Sequence, residues 1–178
     1  MGRGTTPLEG ALLGRVPNGS DANPLSVVLV APRLDPPSIT DIADRLRTPD
    51  WRYDDAMPED LLVFYHPETL REICALRTYL RIRLAAGEID RIDAWIRMVA
   101  VNRLTGHSKR FFSVYTLPPN QAVSVGSQKK INQDRGQTPP RRNVADLIIA
   151  KSRALLAECD AATLARLAQV RRDAHFFT

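Results

Sequence analysis

Long hydrophobic runs are missing from this sequence. The longest, Leu25 to Ala31, contains a serine and stops at Pro32, whereas a membrane-spanning helix needs about 20 apolar residues. The first residues lack the apolar core of a secretory signal peptide, so none is expected. Cysteine is scarce: Cys74 and Cys159 lie far apart and form no CxxC. That argues against a disulfide framework and suits a reducing, cytoplasmic setting. With only His66, His107 and His175 beside them, there is no zinc set, and no metal is expected. Aromatics are 6% of the chain, but apolar residues are 44% and charged residues 25%, which excludes a disordered or collagen-like chain. At 178 residues the chain is one domain's worth and buries a real core.

Acidic residues run short in one region. Residues 1–60 carry 6 basic and 10 acidic side chains, residues 61–178 carry 19 and 10, and the stretch 107–153 alone carries 9 and 2. Such a local excess favours a polyanionic partner. From charge alone, a solvated basic face is the simpler reading.

The pattern predicts mostly helices. A short one covers Pro7 to Leu13, and Arg15 to Asp21 reads as a short strand ending at an acid. Asn23 and Pro24 favour a helix to Val30 over a strand. Ser38 caps a helix over Ile39 to Leu46, with Asp41 in the capping-box position. Two long helices follow. One runs from Pro67 to about Ala86 with Ile73, Leu76, Leu80 and Leu84 as its apolar stripe. The other runs from Glu88 to about Leu104, with Asp93 and Arg97 as an exposed i,i+4 pair. Residues 106–142 read as a long irregular loop, with a β-prone patch at Phe111–Tyr115 and one helical turn near Gln128. Asn143 caps the next helix, and a last one covers Ala161 to Arg172. Trp51 and Trp95 read as packing residues.

The start of the chain carries the chemistry. Gly2-Arg3-Gly4-Thr5-Thr6 leads into a helix, then a strand ending at Asp21 beside Asn23. Glycines let a backbone approach a nucleotide-type ligand, and an acid at the next strand's end accepts hydrogen bonds from ribose hydroxyls. The third glycine of a dinucleotide fingerprint is absent, since position 7 is proline. Asp21 also reads as a turn acid beside Asn23.

MGRGTTPLEGALLGR, SDANPLSVVLVAPRLDPPS and IRMVAVNRLTGHSKRFFSVYTLPPNQAVS together resemble S-adenosylmethionine-dependent amino-group DNA methyltransferases. The resemblance covers most of the chain. It implies an α/β fold: a partial Rossmann-like class-I methyltransferase core with a large, mostly helical insertion. On that reading residues 1–47 are a partial cofactor-binding α/β segment, and residues 48–178 are the insertion with its basic loop 106–142 as the DNA-contacting region. It further implies S-adenosylmethionine as cofactor, held by Gly2, Gly4, Thr5, Asp21 and Asn23. Methyl transfer would go to an exocyclic amine of a DNA base.

The family's catalytic motif is Asp, Asn or Ser, then Pro-Pro and an aromatic that stacks on the flipped base. Here Asp35-Pro36-Pro37 ends in Ser38 and reads as a helix-entry turn, and Pro118-Pro119 follows Leu117 and reads as a rigid loop. No catalytic residue is assigned. The motif is expected beyond Thr178, and the first strand before Met1, so the remainder of the enzyme is expected in the same or an adjacent reading frame, with this chain inactive alone. DNA contacts are expected from Arg103, His107, Lys109, Arg110, Lys129, Lys130, Arg135, Arg141 and Arg142. The alternatives are a non-catalytic nucleic-acid-binding helical module and an RNA or small-molecule methyltransferase fragment.

Overall fold

A computed structural model of the chain describes residues 2–117 and 121–178. The architecture is mostly helical, with one small parallel sheet. Helix α1 (Thr5–Leu12) leads to strand β1 (Asn18–Ser20), then α2 (Leu25–Val30), a 3-10 turn (Ala31–Leu34) and α3 (Ile39–Arg45). After a second 3-10 turn come α4 (Pro67–Ala85), α5 (Arg91–Arg103), α6 (Val125–Asp134), α7 (Val144–Leu156), α8 (Ala161–Arg171) and strand β2 (His175–Phe177). The two strands pair in parallel, Asn18 opposite His175 and Ser20 opposite Phe177. Parallel strands need a crossover, and here it consists of helices α2 to α8.

Capping residues set most of the helix starts. Ser38 Oγ accepts the Asp41 N–H at 3.0 Å, and Asn143 Oδ1 accepts that of Asp146 at 2.8 Å. His66 caps α4, its Nδ1 accepting the Glu68 N–H, a role the sequence reading did not assign. The start of α5 is Arg91 rather than Glu88, because Asp90 and Asp93 form a capping box there.

The main core joins α3, α4, α5 and α7 through Ile42, Leu46, Leu70, Ile96, Val99 and Ile148, and it also takes in Leu29 of α2. It therefore spans position 47 without interruption. Trp95 sits inside it, its indole N–H donating to Ser152 Oγ at 3.0 Å. A second cluster, with Ala11, Leu34, Leu167 and Val170, docks α8 onto α1. That contact brings the last helix beside the first and sets β2 against β1.

Three expectations need correction. The pairing of Asp93 with Arg97 on a wet face is replaced by a fully buried Asp93 held by Arg45 and Arg83. Leu84 leaves the apolar stripe and is 58% exposed, because the end of α4 projects past the core. The stretch after Gly106 is not one irregular loop, and Phe111–Tyr115 forms no strand. Phe111, Phe112 and Val114 are buried, and α6 has ten residues where one turn was expected. Gln and Asn side chains of α6 and the turn after it do structural work: Gln128 and Gln137 both donate to the Tyr115 carbonyl, at 3.0 and 2.9 Å, and Asn132 donates to that of Val63 at 2.8 Å. Pro118 and Pro119 lie outside the described residues.

Candidate functional site

Strand β1 ends at Ser20, so Asp21 stands at the carboxyl end of a parallel strand. The chain then turns into α2. Asp21 Oδ1 accepts the Asn23 N–H at 3.0 Å, and Asn23 Oδ1 accepts the Leu25 N–H at 3.0 Å. This is an Asx-type turn, which short polar side chains form readily. The other carboxylate oxygen, Oδ2, accepts the Gly2 N–H at 2.9 Å. The Asn23 and Gly2 N–H groups hold the Asp21 carboxyl well below the usual carboxylate range, so it is an anion at neutral pH.

Gly2, Asp21 and Asn23 line one wall of a cleft of about 400 Å³. Ser26 and Leu29 of α2 form its side, and Asn102 and Arg103 at the end of α5 face them. Three of the five expected cofactor residues therefore converge on one cavity. Gly4 does not line it. Gly4 is buried, has φ 82°, and a Cβ there would collide with Val30, so its place is explained by backbone conformation and close packing. Thr5 faces a neighbouring cavity. Asn102 and Thr105 enter the cleft unanticipated. They come from some 80 residues further along the chain, and nothing in their local spacing marks them.

The expected DNA-contacting cations fall into two kinds. His107, Lys109, Arg110, Lys129 and Lys130 are exposed. The others are engaged. Arg103 lies over the Phe111 ring at 4.3 Å, and Arg135 over the Tyr115 ring at 3.8 Å. Arg141 pairs with Glu68 at 2.6 Å. Arg142 is fixed through its backbone, its N–H donating to the Thr69 hydroxyl at 2.7 Å while that hydroxyl donates to its carbonyl at 2.8 Å.

Asp35 pairs with Arg171 at 2.8 Å and approaches Arg91 at 3.8 Å. It therefore ties the turn before α3 to α8 and α5. Among the described residues no group of His, Cys, Asp and Glu is placed to hold a metal ion, and no helix is long and apolar enough to cross a membrane.

Comparison with protein-family models, curated proteins and solved structures finds no match to this chain.

Proposed function

We propose that this chain is part of a site-specific DNA methyltransferase that transfers the methyl group of S-adenosylmethionine to an exocyclic amine of a DNA base. The observation that carries the reading is the cleft at the end of β1, where Asp21, Asn23 and Gly2 meet. Ligands of open α/β folds bind outside the carboxyl ends of parallel strands, with an acid there for the ribose hydroxyls. The β1–β2 pair is parallel, and we take it as part of the class-I core.

Asp21 would accept from the ribose hydroxyls. Asn23 holds the turn, and the apolar side of α2 gives the adenine a surface to lie against. The protein's contribution to the reaction is orientation and hydrogen bonding, since the sulfonium carries the reactive methyl group. The Pro-Pro-aromatic motif that would hold the target amine is not among these 178 residues. On this reading the protein works in the cytoplasm.

Calorimetric titration of the chain with S-adenosylmethionine and with 2′,3′-dideoxyadenosine tests the reading. Binding of the first and not the second supports it. Binding of neither removes it.

A further inference from the structure

A second cavity, of about 260 Å³, adjoins the cleft and shares Arg3, Asn102 and Arg103 with it. Its wall is cationic: Arg3 precedes α1, Arg33 lies in the first 3-10 turn, Arg103 ends α5, and Lys151 sits in α7. Four separate segments thus bring four positive side chains to one hollow. By contrast, Arg45, Arg83, Arg91 and Arg171 each pair with a carboxylate. Among the described residues no carboxylate is in ion-pair range of Arg3, Arg33, Arg103 or Lys151.

The cluster is costly to the fold as it stands. Arg33 Nε is buried and has no hydrogen-bond partner, and such a donor carries its full desolvation penalty. Burial pushes Arg33 below its usual basicity. Lys151 is pushed down by burial and by the charges of Arg103, Arg33 and Arg110. Thr5, the first residue of α1, also lines the cavity. No side chain caps that helix, so the positive end of its dipole adds to the same field.

We propose that this cavity is an anion site that binds a phosphate group. Guanidinium forks match phosphate oxygens in pairs, and a compact tetrahedral anion can take donors from several directions at once. The carboxylate of S-adenosylmethionine is a poorer fit, because the ammonium beside it would face the same cations. The volume takes a phosphate and part of a sugar, and excludes a duplex. The site stands independently of the methyltransferase reading. The phosphate has two sources, a terminal or free monoester and an internal phosphodiester of a nucleic-acid strand.

The test is thermal unfolding and calorimetry of the chain with inorganic phosphate. Wild type should bind it and gain stability, and Lys151→Gln and Arg33→Gln should each weaken binding about ten-fold or more. Lys151→Gln should leave the ligand-free chain at least as stable as wild type, because it removes like-charge repulsion, an outcome that a merely structural lysine would not give. A 5′-phosphorylated trinucleotide and its unphosphorylated counterpart separate the sources. Binding of the first alone assigns a monoester, and equal binding of both assigns the backbone. No phosphate response in wild type, or an undiminished wild-type response in both variants, overturns the proposal. Titration with S-adenosylmethionine is read separately, so either proposal can fall without the other.

Discussion

Arg45 and Asp93 meet at 2.6 Å across the α3–α5 packing, with the Asp93 carboxylate wholly buried. Its second oxygen takes Arg83 Nε at 2.7 Å, and Arg45 also holds Asp90 at 2.7 Å. Two arginines from helices α3 and α4 thus converge on the first turn of α5. A buried carboxylate is tolerable only with such full satisfaction.

Removing one partner leaves the other charges uncompensated. Asp93→Ala should lower stability by about 3 kcal/mol or more. Arg45→Ala should do nearly as much, and the double variant should cost clearly less than the sum. Urea unfolding of the four proteins checks this, and strict additivity would show that the pair does not act as a unit.

Asp90 predicts an acid limit. Burial raises its carboxyl, but the Arg45 hydrogen bond and the Asp93 and Ile92 N–H groups outweigh that and bring it down to about 2 from 3.8. A depressed carboxylate stabilises the fold above its unfolded value, and that stability is lost as pH falls through the folded one. The window is therefore about pH 4 down to about pH 2. The Asp90 side chain is 40% exposed, so screening leaves about 1 kcal/mol of it. Chemical denaturation across that range should show the loss in wild type and a shallower fall in Asp90→Asn.

Gly4 should resist substitution for reasons of packing. At φ 82° an alanine is strained, and its Cβ would collide with Val30. Gly4→Ala should therefore cost about 2 kcal/mol. Pairing it with Val30→Ala should relieve the collision and leave the backbone strain, so the double variant recovers only part of the expected sum. Full recovery would mean the conformation itself costs nothing.

Much of this architecture is legible in the sequence. Ser38 and Asn143 announce their helices because a cap is a local bond between near neighbours. Asp21 and Asn23 are legible for the same reason. What stays hidden depends on partners far along the chain. Asp93 sits four residues before Arg97, and the sequence gives no sign that Arg45 and Arg83 will claim it instead. The Gln and Asn residues of 128–137 read as a loop by composition, because only the fold brings the Tyr115 and Val63 carbonyls to them. The cation cavity is invisible in the sequence, since Arg3, Arg33, Arg103 and Lys151 are far apart along the chain.

Asp21 gives the sharpest functional test. Asp21→Ala removes a charged acceptor from the cleft and should weaken S-adenosylmethionine binding by about ten- to hundred-fold. It also frees the Asn23 and Gly2 N–H groups, so the turn loosens. Asn23→Ala, which disturbs the turn and spares the carboxylate, is the control. Equal losses by calorimetry in both variants would assign Asp21 to the turn alone.

The exposed cations divide the DNA-contact reading into separable parts. Arg141 already has Glu68, and Arg142 is anchored to Thr69, so changing that pair confounds folding with binding. Lys109 and Arg110 are cleaner: both are exposed, and among the described residues neither has an ion pair. Each neutralised phosphate adds about 0.9 to the slope of log affinity against log salt on duplex DNA. The Lys109→Ala/Arg110→Ala double variant should therefore bind duplex more weakly and flatten that slope by up to about two units. It should leave site preference intact, because phosphate contacts position a protein without reading sequence. Unfolding stability should hold, since no packing is removed. An unchanged slope would show that these two side chains are a solvated face and nothing more.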